Sequence, residues 1–428
     1  MGALPTSSAG MRGAAYLRPE SPQSRFLNGS IVLLLGTGVV TLLNFGFNVV
    51  VARMLGPAAF GHAAAAVTLL MLVSAITLSF QLVCAKFVAR SADPSARAAV
   101  YHSLLRQSWI VGLVLGTALM LASAQVADYL NLPSRWEIIV LSFGIAFYIP
   151  LGTRRGAMQG SCAFRRLSWN YVLEAVAKFL AALIFINLGY GVNGAVAAIS
   201  ISVVLAYALP PVPAELKLRS PDKTRASARE ATQAIVFFVG QVVINNIDVL
   251  LVKHFFQPEI AGFYAAVALV GRVVYFASWS VVSAMFPVAA GSRQDENHAI
   301  IALPLLFVLG LSLVFVITLG VVPDVVLRAV FGLQFKAGSI GSLLSLYAAA
   351  TGIYALSVVL MTYEMSRRIA NTGWIQLAFS AAIVTGVYLF HDDLRQVILV
   401  QLALMIVMLM LVSLPFLRRP RPALQEAA

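Results

Sequence analysis

Long apolar stretches separated by short polar segments make up most of the chain. A membrane helix needs about 20 mostly apolar residues to cross about 30 Å of hydrocarbon. Stretches that meet this length lie at 27–52, 62–85, 104–123, 137–158, 169–187, 192–212, 232–253, 260–288, 299–320, 339–362, 372–390 and 396–416. The pattern therefore predicts an all-α integral membrane protein with about twelve transmembrane helices.

The second half of the chain repeats a pattern of the first half at an offset of 201 residues, so that segment 44–65 aligns with segment 245–266. Equivalent positions include Asn44 and Asn245, Pro57 and Pro258, and Gly61 and Gly262. Solenoid repeats recur every ~20 to 50 residues, whereas a repeat of half the chain is typical of a two-lobed transporter.

The repeat and the polar segments predict five regions. These are a cytoplasmic arm (1–26), an N-lobe of helices 1–6 (27–213), a cytoplasmic linker (214–231), a C-lobe of helices 7–12 (232–416) and a cytoplasmic tail (417–428). Six helices is an even number, so both lobes enter the membrane in the same direction. We therefore expect two six-helix bundles, related by an axis along the membrane normal, around a central cleft.

The composition agrees with a chain dissolved in lipid, since 60% of residues are hydrophobic and 11% are charged, against about 25% charged in soluble domains. The net charge of +13 does not indicate nucleic acid, because the basic residues are scattered between apolar runs. Most of them fall in alternate connections, including Arg154 and Arg155, which we count in the connection between helices 4 and 5. Short basic connections stay in the cytoplasm, so both termini are predicted to be cytoplasmic.

Motifs for enzymes, metals and cofactors give no usable signal. The spacing Gly189-x-Gly191-x-x-Gly194 matches the dinucleotide fingerprint, but it joins two predicted membrane helices instead of following a strand. The five histidines are dispersed, and no phosphate-binding G-x-x-x-x-G-K-[ST] motif occurs. We therefore predict a protein that is not an enzyme and needs no cofactor or metal.

The sequence NFGFNVVVARMLGPAAFG at 44–61 resembles the first hairpin of polysaccharide flippases, the Wzx-type branch of the multidrug/oligosaccharidyl-lipid/polysaccharide (MOP) exporter superfamily. The segments GYGVNGA at 189–195, NNID at 245–248 and AGFY at 261–264 extend the resemblance across the chain. The arginine that related lipid II flippases carry in the first helix is replaced here by Phe47, which disfavours a lipid II substrate.

The resemblance implies two bundles that form a V in the bacterial inner membrane. It also implies a flippase that moves undecaprenyl-diphosphate-linked glycan units from the cytoplasmic to the outer leaflet by alternating access. Its partners would be this substrate, membrane lipids, a polysaccharide polymerase and glycosyltransferases. An ion-coupled small-molecule antiporter of the multidrug type on the same fold is the alternative, and a non-transporting membrane scaffold is a third possibility.

Polar residues within the predicted helices are the candidates for function, because a central charge costs about 2.5 to 3.5 kcal/mol on insertion scales. Glu174 and Lys178 are four residues apart, so they form either a self-neutralised pair or a cavity-facing group. Asp248 and Glu174 are carboxylates that could couple protons, with Lys178 beside them. Asn44, Asn48, Gln241 and Asn245 are candidates for substrate contact in the cleft or for interhelical hydrogen bonds.

Arg272 is predicted near mid-depth of the eighth helix, where a guanidinium needs a compensating group. Guanidinium binds phosphate through two parallel hydrogen bonds, so we expect Arg272 to bind the diphosphate. A structural pair with Asp248 is the alternative. Counted from a turn near Gln257, the two residues differ in depth by about 9 Å at 1.5 Å per residue, which favours the substrate role.

Overall fold

The computed structural model describes residues 22–91, 93–217, 228–278, 297–335, 340–367 and 372–417. Their secondary structure is helical, in thirteen α-helices and one short 3₁₀ helix. The helices are α1 (Pro22–Arg90), α2 (Pro94–Leu121), α3 (Ser123–Tyr129), α4 (Trp136–Gly160), α5 (Phe164–Asn187), α6 (Gly191–Ala208), α7 (Ala228–Phe255), α8 (Pro258–Gly271), α9 (Asn297–Val321), α10 (Pro323–Phe331), α11 (Gly341–Arg367), α12 (Thr372–Leu389) and α13 (Leu394–Leu417). The described residues leave out most of the predicted arm and part of the predicted linker. They also leave out all of the predicted tail except residue 417.

The described part of each predicted transmembrane stretch coincides with a helix, and α1 contains the first two. Residues 279–288 of the predicted eighth stretch lie outside the described residues. Within the described residues, ten helices are long and apolar enough to cross a membrane, and α12 includes a shorter apolar helix. Helices α3 and α10, which the apolar pattern does not predict, are short and lie in connections. The predicted all-α membrane fold is confirmed.

Helix α1 is a hairpin that reverses at Gly56. The backbone there has φ 80° and ψ 176°, a conformation open to glycine because it lacks a Cβ. On α5, Ser168 donates a hydrogen bond to Val32 O at 3.1 Å, and one turn later Tyr171 accepts one from Gln81 at 2.9 Å. Residues 32 and 81 therefore lie at the same level, and the halves on either side of Gly56 are antiparallel.

The two copies of the repeat meet at their equivalent glycines. A Cβ on Gly61 would lie 2.9 Å from both Gly262 N and Pro258 O, and a Cβ on Gly262 would overlap Pro57 O. Each glycine therefore contacts the proline segment of the other copy, which is the reciprocal pattern of a two-fold axis. The structure therefore places the axis between Gly61 and Gly262, two positions that the 201-residue offset makes equivalent.

The lobes pack on each other mainly through α1 of the N-lobe against α7, α8 and α10 of the C-lobe. Every hydrogen bond between described residues of different lobes lies at one end of the molecule. These bonds join Arg53 to the backbone of Ala329 and Val330, Asn131 to the backbone of Lys253 and His254, Lys253 to the backbone of Asn131, and Tyr129 to His254 and Tyr388. We call this end, which the charge pattern predicts to be external, the closed end.

Candidate functional site

A buried carboxylate organises the polar residues of the C-lobe. Asp248 of α7 is 1% exposed. Its Oδ1 accepts a hydrogen bond from Arg272 Nη2 at 2.8 Å, and its Oδ2 accepts hydrogen bonds from the hydroxyls of Tyr264 at 2.9 Å and Tyr347 at 2.8 Å. Both carboxylate oxygens are therefore occupied by groups from α8, α11 and the turn that follows α8.

Arg272 is held entirely by protein groups. Besides the ion pair with Asp248, its Nε donates to Tyr347 Oη at 3.0 Å and its Nη1 to Asn246 Oδ1 at 3.5 Å. The depth difference of about 9 Å favours a substrate role for Arg272, but the structure has the alternative arrangement, a pair of Arg272 with Asp248. The long arginine side chain spans the difference in depth. The guanidinium therefore has its counter-charge within the C-lobe.

The N-lobe has its own arginine–carboxylate pair, formed by Arg155 and Glu174. Arg155 lies inside α4 and is buried, and its Nε donates to Asn170 Oδ1 at 2.7 Å. Two expectations need correction here. Arg155 does not belong to a cytoplasmic connection, and Glu174 pairs with Arg155 instead of with Lys178, because α4 delivers a planar guanidinium to the carboxylate.

Lys178 contacts α1 and makes no ion pair with Glu174, although the two groups interact electrostatically. Its Nζ donates to Asn44 Oδ1 and lies 5.2 Å from the centre of the Phe47 ring. No ion pair with Lys178 occurs among the residues that the structure describes. The N-lobe cluster of Arg155, Lys178 and Glu174 thus carries two cations and one anion, and its net positive charge lies within membrane-spanning helices.

The candidate amides of α1 and α7 bond mostly within their own helices. Asn48 Nδ2 donates to Asn44 O at 2.8 Å, and Asn245 Nδ2 donates to Gln241 O at 2.9 Å. Gln241 Nε2 reaches Tyr275 Oη at 2.7 Å. Asn44, Asn48 and Asn245 are half-buried, while Gln241 is buried. The structure therefore brings Asn44 to Lys178 and Gln241 to Tyr275, and it gives Asn48 and Asn245 local partners.

Sequence reasoning missed several of these groups. Arg155 lies inside the predicted helix 137–158, so its position in an apolar stretch was an available signal. The tyrosines Tyr264 and Tyr347 look like ordinary apolar helix residues in the sequence, and nothing in the pattern distinguishes them as ligands of Asp248.

Comparison with known proteins places the chain in a family and a fold. A family model described as polysaccharide biosynthesis protein matches residues 26–293, more than half of the chain. No curated protein sequence matches the chain.

Several solved transporters share the architecture. One is an inward-facing multidrug resistance MATE family transporter of the MOP superfamily, with TM-score 0.71, 14% identity, and 88% of this chain and 94% of that chain covered. The lipid II flippase MurJ in an inward closed conformation gives TM-score 0.71 and 12% identity, covering 91% of this chain and 88% of that chain. An outward-facing MATE family transporter gives TM-score 0.59 and 17% identity, covering 94% and 97%.

Proposed function

The chain belongs to the polysaccharide biosynthesis protein family, and on that premise we propose that it is a flippase for undecaprenyl-diphosphate-linked oligosaccharides. It would serve the synthesis of exopolysaccharide, O-antigen or capsule in the bacterial inner membrane, with both termini in the cytoplasm. Its partners would be the glycosyltransferases that build the unit and the polymerase that uses it. The family match carries the proposal, and the two-lobed transporter fold supports it.

The two lobes suit the physical problem of moving a glycan. Glycan hydroxyls that lose their hydrogen bonds in hydrocarbon cost several kcal/mol each, so the headgroup needs a polar route while the isoprenoid tail stays in lipid. Hydrogen bonds between described residues of the two lobes lie at the closed end. We therefore interpret this conformation as the one that accepts substrate from the opposite, cytoplasmic side before the lobes rock.

We assign the phosphate contact to Lys178 in place of Arg272. Arg272 is already neutralised by Asp248. Lys178 contacts an amide oxygen and an aromatic ring, and the carboxylate that it interacts with, Glu174, is already paired with Arg155. A cation in the membrane is costly without a counter-charge, and a diphosphate would supply one. Lys178 also lies over the ring of Phe47, the position at which lipid II flippases carry an arginine in the first helix. In this protein the cation at that position would therefore come from α5.

The energy source of transport is a separate proposal. The sequence has no ATP-binding motif, so an ion gradient or removal of the product would drive the cycle. Asp248 and Glu174 remain our candidates for ion coupling. Each is neutralised by an arginine in this conformation, so proton binding at either site would release that arginine.

Replacing Lys178 tests the substrate assignment. A hydrogen bond to a charged group contributes about 1.5–3 kcal/mol, so Lys178→Met is expected to lower glycan export about 10- to 100-fold in a strain that lacks its own flippase. Lipid-linked units should accumulate in the cytoplasmic leaflet, where they can be extracted and quantified. Lys178→Arg keeps the charge and should retain part of the activity.

The matched control is Arg395→Gln, which removes an exposed basic residue of the C-lobe and should leave export unchanged. Wild-type export by the folded Lys178→Met variant would refute the assignment of the phosphate contact. Failure of the wild-type chain to restore export, together with increased resistance to cationic drugs, would favour the multidrug-type antiporter.

A further inference from the structure

A second group of titratable side chains is buried between the lobes at the closed end. It contains Lys253 from α7 in the C-lobe, and Glu137 from α4 and His62 from α1 in the N-lobe. Lys253 and Glu137 are both 0% exposed, and His62 is buried as well. None of the three belongs to the arginine–carboxylate pairs described above, so the substrate site does not account for them.

Lys253 crosses the boundary between the lobes. Its Nζ donates to Asn131 O at 3.0 Å, and Asn131 Nδ2 donates back to Lys253 O at 3.3 Å and to His254 O at 2.9 Å. The ammonium is therefore held by the backbone of the connection between α3 and α4. A single carbonyl oxygen satisfies one of its three donors and supplies no full counter-charge.

Glu137 is the buried carboxylate that interacts with Lys253. Neither of its carboxylate oxygens has a hydrogen-bond partner among the described residues, and it interacts electrostatically with Lys253 without direct contact. His62 also interacts with Lys253, and its Nδ1 has no partner within the part of the chain that the structure describes. A buried carboxylate without hydrogen bonds is strongly unfavourable unless an opposite charge compensates it.

We propose that Lys253 and Glu137 form a charge-compensated latch that sets the equilibrium between the closed and open states of this end. The residues lie in different lobes, so they can be buried together only while the lobes meet here. When the lobes separate, both charges return to water. The latch rests on the alternating opening proposed above, but its test is conformational and needs no substrate.

The latch controls the balance of states and does not simply strengthen closure. Burying two charges removes them from water, and the loss of hydration roughly offsets their attraction, so a buried pair contributes little net stability. Removal of either partner leaves the other buried and uncompensated, which is strongly unfavourable. The closed end therefore forms when both charges are present and can still reopen, which an alternating-access cycle requires.

The test measures the distance between the lobes by pulsed electron paramagnetic resonance. Spin labels are attached at Arg135→Cys and Glu259→Cys, exposed positions at the closed end of the N-lobe and C-lobe. The native Cys84 and Cys162 are both free cysteines and are replaced by alanine and serine. The variants Glu137→Gln, Lys253→Met and the combination of the two are compared with the parent in detergent and in lipid nanodiscs.

Each single variant is expected to shift the distance distribution towards the longer, open population, and the double variant is expected to restore the short population. The double variant should also transport more slowly than the parent, because an uncharged closed end reopens less readily. Size-exclusion elution and helical circular dichroism check that every variant is folded. A double variant that folds like the parent keeps the test decisive even where one single variant aggregates.

Several outcomes would overturn the latch. Single variants that stay as closed as the parent would show that the charges do not control this end. An open double variant would assign closure to the shapes of the two side chains. A shift to the open population in Lys253→Met but not in Glu137→Gln would show that Lys253 acts through Asn131 and not through Glu137. Parent-like transport by a closed double variant would confine the pair to a structural role.

Discussion

Replacing Arg272 by alanine is expected to destabilise the folded protein by about 3–5 kcal/mol, the range for removing one partner of a buried ion pair. Asp248 is 1% exposed, so without Arg272 its charge stays buried with two tyrosine hydroxyls as its remaining partners. Thermal unfolding of the purified protein in detergent measures the loss. Arg272→Lys should lose less stability, because it keeps the positive charge beside Asp248 and gives up only the hydrogen bonds to Tyr347 and Asn246.

The double variant Arg272→Ala with Asp248→Ala separates pairing from substrate binding. If the pair is structural, removing both charges recovers most of the stability lost in Arg272→Ala, because no uncompensated charge remains. An additive loss in the double variant would contradict the pairing. A stable Arg272→Ala protein without transport would instead support the phosphate role that the sequence favours.

Replacing Gly262 by alanine is expected to prevent the closed end from closing. The new Cβ would overlap Pro57 O, and this neighbour is backbone, which cannot rotate away as a side chain can. Overpacking of this kind costs about 1–3 kcal/mol, which corresponds to a shift of about 5- to 150-fold in the ratio of closed to open molecules. The spin-label distance across the closed end measures this shift, and transport should fall with it.

Gly310→Ala is the matched control, because Gly310 also lies in a membrane helix and, beyond its own helix backbone, no atom of the described residues lies within 4 Å of its added Cβ. It should keep the parent distance distribution and the parent rate of transport. If Gly262→Ala also keeps the short spin-label distance across the closed end, the contact between Gly61 and Gly262 does not limit closure. This contact would then have no role in gating.

Helix positions and the two-lobed organisation could be predicted because both depend on local or repeated patterns. Apolar length predicts each membrane helix, and the 201-residue offset predicts that Gly61 and Gly262 are equivalent. The structure adds that these two glycines touch. The proximity of α1 and α7 follows from the repeat, since equivalent elements near a two-fold axis must approach each other.

Side-chain partners could not be predicted in the same way, because they depend on how helices distant in sequence pack. The spacing of Glu174 and Lys178 suits a pair on one helix, but Arg155 from α4 binds the carboxylate instead. Lys253 has the sequence context of an ordinary basic residue near a helix end, and its burial results from contact with the other lobe. Intrahelical spacing therefore identifies polar faces but leaves their partners undetermined.

The most direct test of the proposed function is transport in proteoliposomes that contain the purified protein and a fluorescent undecaprenyl-diphosphate-linked oligosaccharide. An impermeant glycosidase added outside cleaves the glycans of the outer leaflet and leaves those of the inner leaflet intact. The proposed function predicts that the glycosidase cleaves nearly the whole glycan pool of liposomes that contain the wild-type protein. In liposomes that contain Lys178→Met, it should cleave little more than the outer-leaflet pool that it cleaves in empty liposomes. Cleavage by wild-type proteoliposomes that stops at the level of empty liposomes would contradict it.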